Sequence, residues 1–374
     1  MGLTSNKVLA LAAVLAVLLF FGTIWIWPRL ARRSWRAVVG RAALLLATQF
    51  MIFATIGVAA NQAFGFYASW ADLFGQEKGQ GVVHDYGSGG AHAPLRLTGT
   101  QTVNVSGGAR PDVGGQIQQV DLVGPVSHIA TPAYVYLPPE YFQPQYQNRR
   151  FPATTVLTGY PGTAAALIKG LHYPQTAHQL AAAGQMPPMI LVMLRPTVAP
   201  PRDTECVDVP NGPQTETFFA KDLPDVVAGH YRVDRRPGSW GIIGDSTGGY
   251  CALKLALHHP QVYAGAVALS PYYTAANDAT TGDLFQGDQT ERDRANLMWF
   301  MEHEPAPRTS LLVTTSKQGE HNYGDTMRFI DLVKSKPPTT IASIVLESGG
   351  HNFNTWRREI PPAMQWLGTK LADR

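Results

Sequence analysis

The stretch "WGIIGDSTGGYCALKLALHHP", Trp240 to Pro260, decides the fold. Its opening residues form an apolar run that suits a buried strand. Its later residues suit a helix ended by a proline. Between them sits Ser246, with Gly244 two residues before it and Gly248 two after. A serine on a very tight strand-to-helix turn is held in a strained conformation with its hydroxyl pushed out over the sheet edge. Side chains two residues to either side would collide with neighbouring backbone, so those positions become glycine. The pattern alone is weak, because G-x-S-x-G arises by chance in about one chain of this length in ten. The rest of the chain must supply the machinery that an activated serine needs.

Working outward, apolar runs alternate with helix-like ones. "IQQVDLVG" and "ATPAYVYLPPEY" predict a hairpin, and "PATTVLTGYPG" a strand ending in a glycine turn. "PMILVMLRP" predicts a buried strand and "TETFFAKDLPDVVAGHYRV" a helix. Beyond the opening stretch come the strands "YAGAVALSPYY", "TSLLVTTS" and "TIASIVLESGG", with a helix at "GDTMRFIDLVKS" and a last helix from about Asn354. Strands alternating with helices predict an α/β fold with a mostly parallel sheet covered on both faces.

A serine hydroxyl becomes a nucleophile when a base takes its proton and a carboxylate orients that base. After "TSLLVTTS" comes "KQGEHNYGD", with Glu320 and Asp325, and after the next strand comes "SGGHNF", with His351 in a glycine-lined turn. His351 is the expected base. Glu320 is the expected acid because Asp325 opens a helix, where capping and the helix dipole already account for a carboxylate; Asp325 is the alternative. An oxyanion needs two backbone N–H donors. Thr247, after the serine, supplies one, and Tyr160 of the "TGYPG" turn the other, since Pro161 has no N–H.

"GDSTGGY", "TGYPG" and "GGHNFNTW", with Trp356 five residues after His351, together resemble the putative-esterase family of α/β-hydrolases. This family includes S-formylglutathione hydrolase, feruloyl and siderophore esterases and secreted mycolyltransferases. The resemblance covers roughly residues 116–374 and implies an α/β-hydrolase fold acting on esters through an acyl-enzyme. Where the family often carries an acid directly after the histidine, this chain has Asn352.

The N-terminus has another character. Val8 to Trp27 and Ala42 to Ala60 are uncharged and each about 20 residues long, enough to cross a bilayer. Between them "PRLARRSWRAVVGR" holds five arginines, which predicts a cytoplasmic loop with both ends outside. Cleavage of a signal peptide, after Ala60 for instance, is the competing expectation. Six of the 30 basic residues and none of the 27 acidic ones lie in residues 1–60. The remainder is slightly acidic, which argues against nucleic-acid binding. The expected organisation is a two-helix membrane anchor over residues 1–74, a Gly/Ser-rich spacer over 75–115 containing His84, His92 and one short strand, and a catalytic domain over 116–374.

The chain has two cysteines, Cys206 and Cys251, both on the side assigned outside the membrane, where an even count favours a disulfide. Asp278, Asp283 and Asp288 lack the spacing of a calcium loop and read as an exposed insertion able to shape an acyl or alcohol pocket. His258 and His259 end a helix, where they suit its negative pole. The expected protein is a membrane-anchored extracellular serine esterase acting on a small-molecule or lipid ester, with no metal or organic cofactor. An acyltransferase serving a sugar or lipid alcohol, and an inactive hydrolase-fold binding module, are the alternatives.

Overall fold

A computed structural model describes residues 5–32, 34–64, 70, 94–200, 202–234, 236 and 238–372. The chain divides into two compact units, Met1–Glu77 and Lys78–Arg374.

The first unit is a helical hairpin of α1 (Asn6–Ile26) and α2 (Trp35–Phe64). Both helices are long and apolar enough to cross a membrane. Leu18, Phe21, Trp25, Leu46, Phe50 and Phe53 face outward from the pair, as side chains dissolved in lipid would. Thr23 and Thr48 meet between the helices at 3.0 Å, and each hydroxyl also hydrogen-bonds a carbonyl one turn back in its own helix.

The second unit is built on a nine-stranded sheet. Its strands are β1 (Leu95–Thr102), β2 (Gln116–Val123), β3 (Ala130–Leu137), β4 (Ala153–Leu157), β5 (Ile190–Leu194), β6 (Trp240–Asp245), β7 (Tyr263–Leu269), β8 (Ser310–Gln318) and β9 (Thr340–Ser348). The order is β1-β2-β3-β5-β4-β6-β7-β8-β9. The first four in that order pair antiparallel and the rest parallel. Strands β4 to β7 are buried along their whole length, which explains their largely apolar sequences.

The longer helices of this unit are α3 (Ala164–Lys169), α4 (Tyr173–Ala182), α5 (Leu223–His230), α6 (Thr247–His258), α7 (Gln289–Arg294), α8 (Leu297–His303), α9 (Tyr323–Lys334) and α10 (Phe353–Ala372). One core packs α5, α6 and α8 against the sheet, and a second packs α4 and α10 against its other face.

The structure refines three expectations. The short strand expected within the spacer stretch is an edge strand of the main sheet, β1 pairing with β2 from Leu95↔Leu122 to Thr102↔Gln116. The rest of that stretch, with His84 and His92, lies outside the described residues. The insertion after β7 is more than an exposed loop. Its Leu284 and Phe285 are buried with Val207 and Val209 of the β5–α5 loop, and Arg202 donates to the carbonyls of Thr281 and Asp283. Its acids serve local turns: Asp278 accepts from Thr280, Asp283 from the Phe285 and Gln286 amides, and Asp288 caps α7. Lastly, His258 and His259 do not simply complement a helix pole, since both contact the carboxylate of Glu216 at 2.9 Å.

Candidate active site

The turns after β4, β6, β7, β8 and β9 lie at the carboxyl edge of the parallel strands, where α/β sheets place their reactive groups. Ser246 stands between β6 and α6 with φ 53° and ψ −118°, a backbone conformation costing about 1–3 kcal/mol in a non-glycine residue. The chain tolerates it because its neighbours permit the turn. A Cβ at Gly244 would lie 2.3 Å from the backbone of Gly248, and one at Gly248 2.6 Å from the carbonyls of Leu157 and Thr158. The Ser246 amide is anchored on the Leu269 carbonyl at 2.9 Å. The Thr247 amide opens a helix of 12 residues, so the positive end of that helix lies beside the hydroxyl.

The turn after β4 reaches the same point. A Cβ at Gly159 would sit 3.0 Å from the Ser246 Cβ, which brings Tyr160 beside the elbow. Among the described residues no backbone carbonyl accepts from the Tyr160 or Thr247 amide.

Beyond β8 and β9 the structure brings Glu320 and His351 together, with Oε2 3.5 Å from Nδ1. The Glu320 side chain is 3% exposed and that of His351 45% exposed. The acid is thus sequestered while the imidazole opens toward solvent. Backbone contact between the two loops explains their glycines: Gly319 has φ +94°, and a Cβ there would fall 2.4 Å from the Gly349 carbonyl. Asp325 is elsewhere. It lies in the first turn of α9, 54% exposed and paired with Arg328 one turn on.

The contacts of two neighbours of this pair were not read from the sequence. Ser270, just past β7, donates to Glu320 Oε1 at 2.6 Å and accepts from the Trp356 indole at 2.9 Å. The Trp356 ring also meets His351 edge-on, with centroids 5.1 Å apart. Trp356 therefore touches the imidazole directly and steadies the carboxylate through Ser270. The signal available was the serine closing "YAGAVALS" and the His351–Trp356 spacing; the link between them spans 86 residues.

The buried surroundings are electrically uneven. Asp245, immediately before Ser246, is pushed up to about 7 by burial, against the opposing pull of the Gly159 amide and of His351. Burial pushes Glu359 of α10 to about 8, though it accepts from Thr314 at 2.7 Å. In the β5–α5 loop burial, with Asp203 alongside, raises Glu205 to about 8, while the Tyr272 hydroxyl hydrogen-bonds it at 2.7 Å. Cys206, next in sequence, forms a disulfide with Cys251 of α6, with Cα atoms 5.7 Å apart. The bridge ties that loop to the helix that follows Ser246.

The family described as "Putative esterase" matches residues 130–367. The chain belongs to that family. An uncharacterized protein of Corynebacterium glutamicum, Cgl0967/cg1104, is 25% identical over 279 residues, 68% of this chain and 62% of that protein. The MPT51/MPB51 antigen of Mycobacterium tuberculosis is 31% identical over 107 residues, 26% of this chain and 35% of the antigen. The chain thus spans less than two thirds of the length of either relative. In fold it matches an S-formylglutathione hydrolase from Agrobacterium tumefaciens with a TM-score of 0.57 at 16% identity, covering 74% of this chain and 99% of that one. The fold is that of the α/β-hydrolases.

Proposed function

We propose that the chain is a serine esterase that works through an acyl-enzyme on Ser246, held at a membrane by its N-terminal hairpin with the catalytic unit outside. The observation that carries this reading is the Glu320–His351 pair, set at the same sheet edge as a serine in a strained elbow. His351 takes the proton of Ser246 as its oxygen attacks the ester carbonyl, then returns it to the departing alcohol. Glu320 fixes the imidazole tautomer and stabilises the imidazolium. The Thr247 and Tyr160 amides hold the oxyanion. Water, activated by the same histidine, releases the acid.

No step asks for a metal or organic cofactor. The anchored, outward-facing arrangement is supported by two helices of spanning length, by the arginines between them and by the Cys206–Cys251 disulfide, a bond of oxidising compartments.

The same acyl-enzyme serves an acyltransferase when an alcohol reaches it before water. Incubation with p-nitrophenyl esters of graded chain length, with and without a sugar or lipid alcohol, separates the two. Hydrolysis as the main outcome in both conditions is expected. A new ester formed at the expense of free acid would make the chain an acyltransferase, and inertness toward every ester would remove the reading.

A further inference from the structure

We propose that Asp245 is a positioning residue for the oxyanion side of the site, holding through the Gly159 amide the turn that carries the Tyr160 N–H. The proposal rests on the esterase reading above and adds a residue to it.

Asp245 closes β6, a strand otherwise made of apolar residues and glycine, and is itself buried. A carboxylate there costs free energy unless its partners compensate. One oxygen has a partner: Oδ2 accepts the Gly159 N–H at 2.8 Å, from a turn 86 residues earlier. Among the described residues the other, Oδ1, has none. The Tyr173 hydroxyl and Glu359 Oε1 are likewise buried and unpartnered. Tyr173 feels both carboxylates, and His351 is the basic group that acts on Asp245. An apolar residue would avoid these costs if filling space were all the position had to do.

What the carboxylate holds is the Thr158–Gly159 peptide, to which the Gly159 N–H belongs, one plane before the peptide that carries the Tyr160 N–H. The Gly159 carbonyl is held from its other side by the Thr158 hydroxyl at 2.8 Å and the Gly162 amide at 2.9 Å. That carbonyl and the Tyr160 N–H belong to the same planar trans peptide and point in opposite directions. Pinning the Gly159 amide on Asp245 and the Gly159 carbonyl on Thr158 and Gly162 therefore sets where the Tyr160 N–H points. The anchor is the residue bonded to Ser246, so donor and nucleophile keep their spacing if the sheet edge flexes. Preorganised donors of this kind lower barriers because they need no reorientation as charge develops.

The test uses the full chain in detergent with p-nitrophenyl butyrate, comparing wild type, Asp245→Leu and Asp245→Asn. Leucine fills the space but offers no acceptor, whereas the asparagine carbonyl can accept the same N–H. Leucine is expected to lower kcat roughly 10²-fold, the scale of losing one oxyanion donor, with KM within about twofold. Asparagine is expected to recover at least about tenfold of that loss. Wild-type kcat in the leucine variant, or an asparagine variant as slow as leucine, would overturn the proposal.

Should the leucine variant not fold, amide hydrogen exchange at Gly159 in the wild type decides. Slow exchange supports the anchor, and exchange at the rate of an exposed turn overturns it. A wild type without Ser246-dependent hydrolysis would remove the esterase reading and this inference with it. An active wild type beside a fully active leucine variant would remove this inference alone.

Discussion

The two ends of α6 handle buried charge in opposite ways. At its C-terminal end Lys254, 2% exposed, pairs with Glu216 and donates to the Cys206 carbonyl at 2.9 Å. His258 and His259 contact the other oxygen of the same carboxylate. Burial alone would raise Glu216, but the Lys254 ammonium and the two imidazoles hold it well below the usual carboxylate range. At the N-terminal end Asp245, Glu359 and Tyr173 keep polar atoms with no partner among the described residues, and burial raises all three. A saturated cluster has nothing left to bind and secures the helix. An unsaturated cluster beside the residue that precedes the strained serine adds little to the stability of the fold. The difference predicts that substitutions at the elbow end cost rate and those at the far end cost stability.

The largest effect that could break the contrast belongs to Glu320. Glu320→Gln should keep the fold yet lower kcat by roughly 10⁴, the scale of losing an orienting carboxylate. A variant that hydrolyses esters at wild-type speed would strip Glu320 of its role. Next comes Glu216→Gln, which leaves the buried Lys254 ammonium without its counter-charge. It should cost about 3–5 kcal/mol in urea unfolding, with kcat changed by less than about threefold. A large loss of kcat with stability intact would mean that the two ends are not distinct.

The pH dependence of stability sharpens the same contrast, since the two clusters enter with opposite sign. Glu216 is depressed on folding, so its contribution is complete above its ordinary value of 4.5 and is lost as pH falls below it. Asp245 and Glu359 are raised on folding, so the native state binds more protons than the unfolded one. Their contribution therefore declines as pH rises from about 4 through 7 and 8. Urea midpoints of Glu359→Gln measured across that window should fall less steeply than those of the wild type; parallel curves would contradict the assignment. The smallest effect is expected at Asp325, whose pairing with Arg328 is exposed. Asp325→Asn should change stability by no more than about 1 kcal/mol and leave kcat alone.

How much of this was legible depends on sequence distance. The elbow was legible because its glycines sit two residues from Ser246, and the parallel strands because burial on both faces left them apolar. The order serine, Glu320, His351 follows from where the loops fall between strands. Asp325 could be set aside because a local cause, the start of a helix, already explained it. What could not be read depends on partners far apart: Asp245 on Gly159, Ser270 on Trp356, and Glu216 on a histidine pair about 40 residues away. For β1 the strand itself was legible but its place in the main sheet was not, for another reason. Its sequence is polar and glycine-containing because it is an edge strand with most side chains exposed, so it resembles linker more than core.

The central claim, that Ser246 is an activated nucleophile, is tested most directly by treating the full chain with a fluorophosphonate probe and mapping the adduct by mass spectrometry. A single adduct on Ser246 is expected, absent from Ser246→Ala and slowed by orders of magnitude in Glu320→Gln. An unlabelled wild-type chain, or labelling that persists in Ser246→Ala, would contradict it.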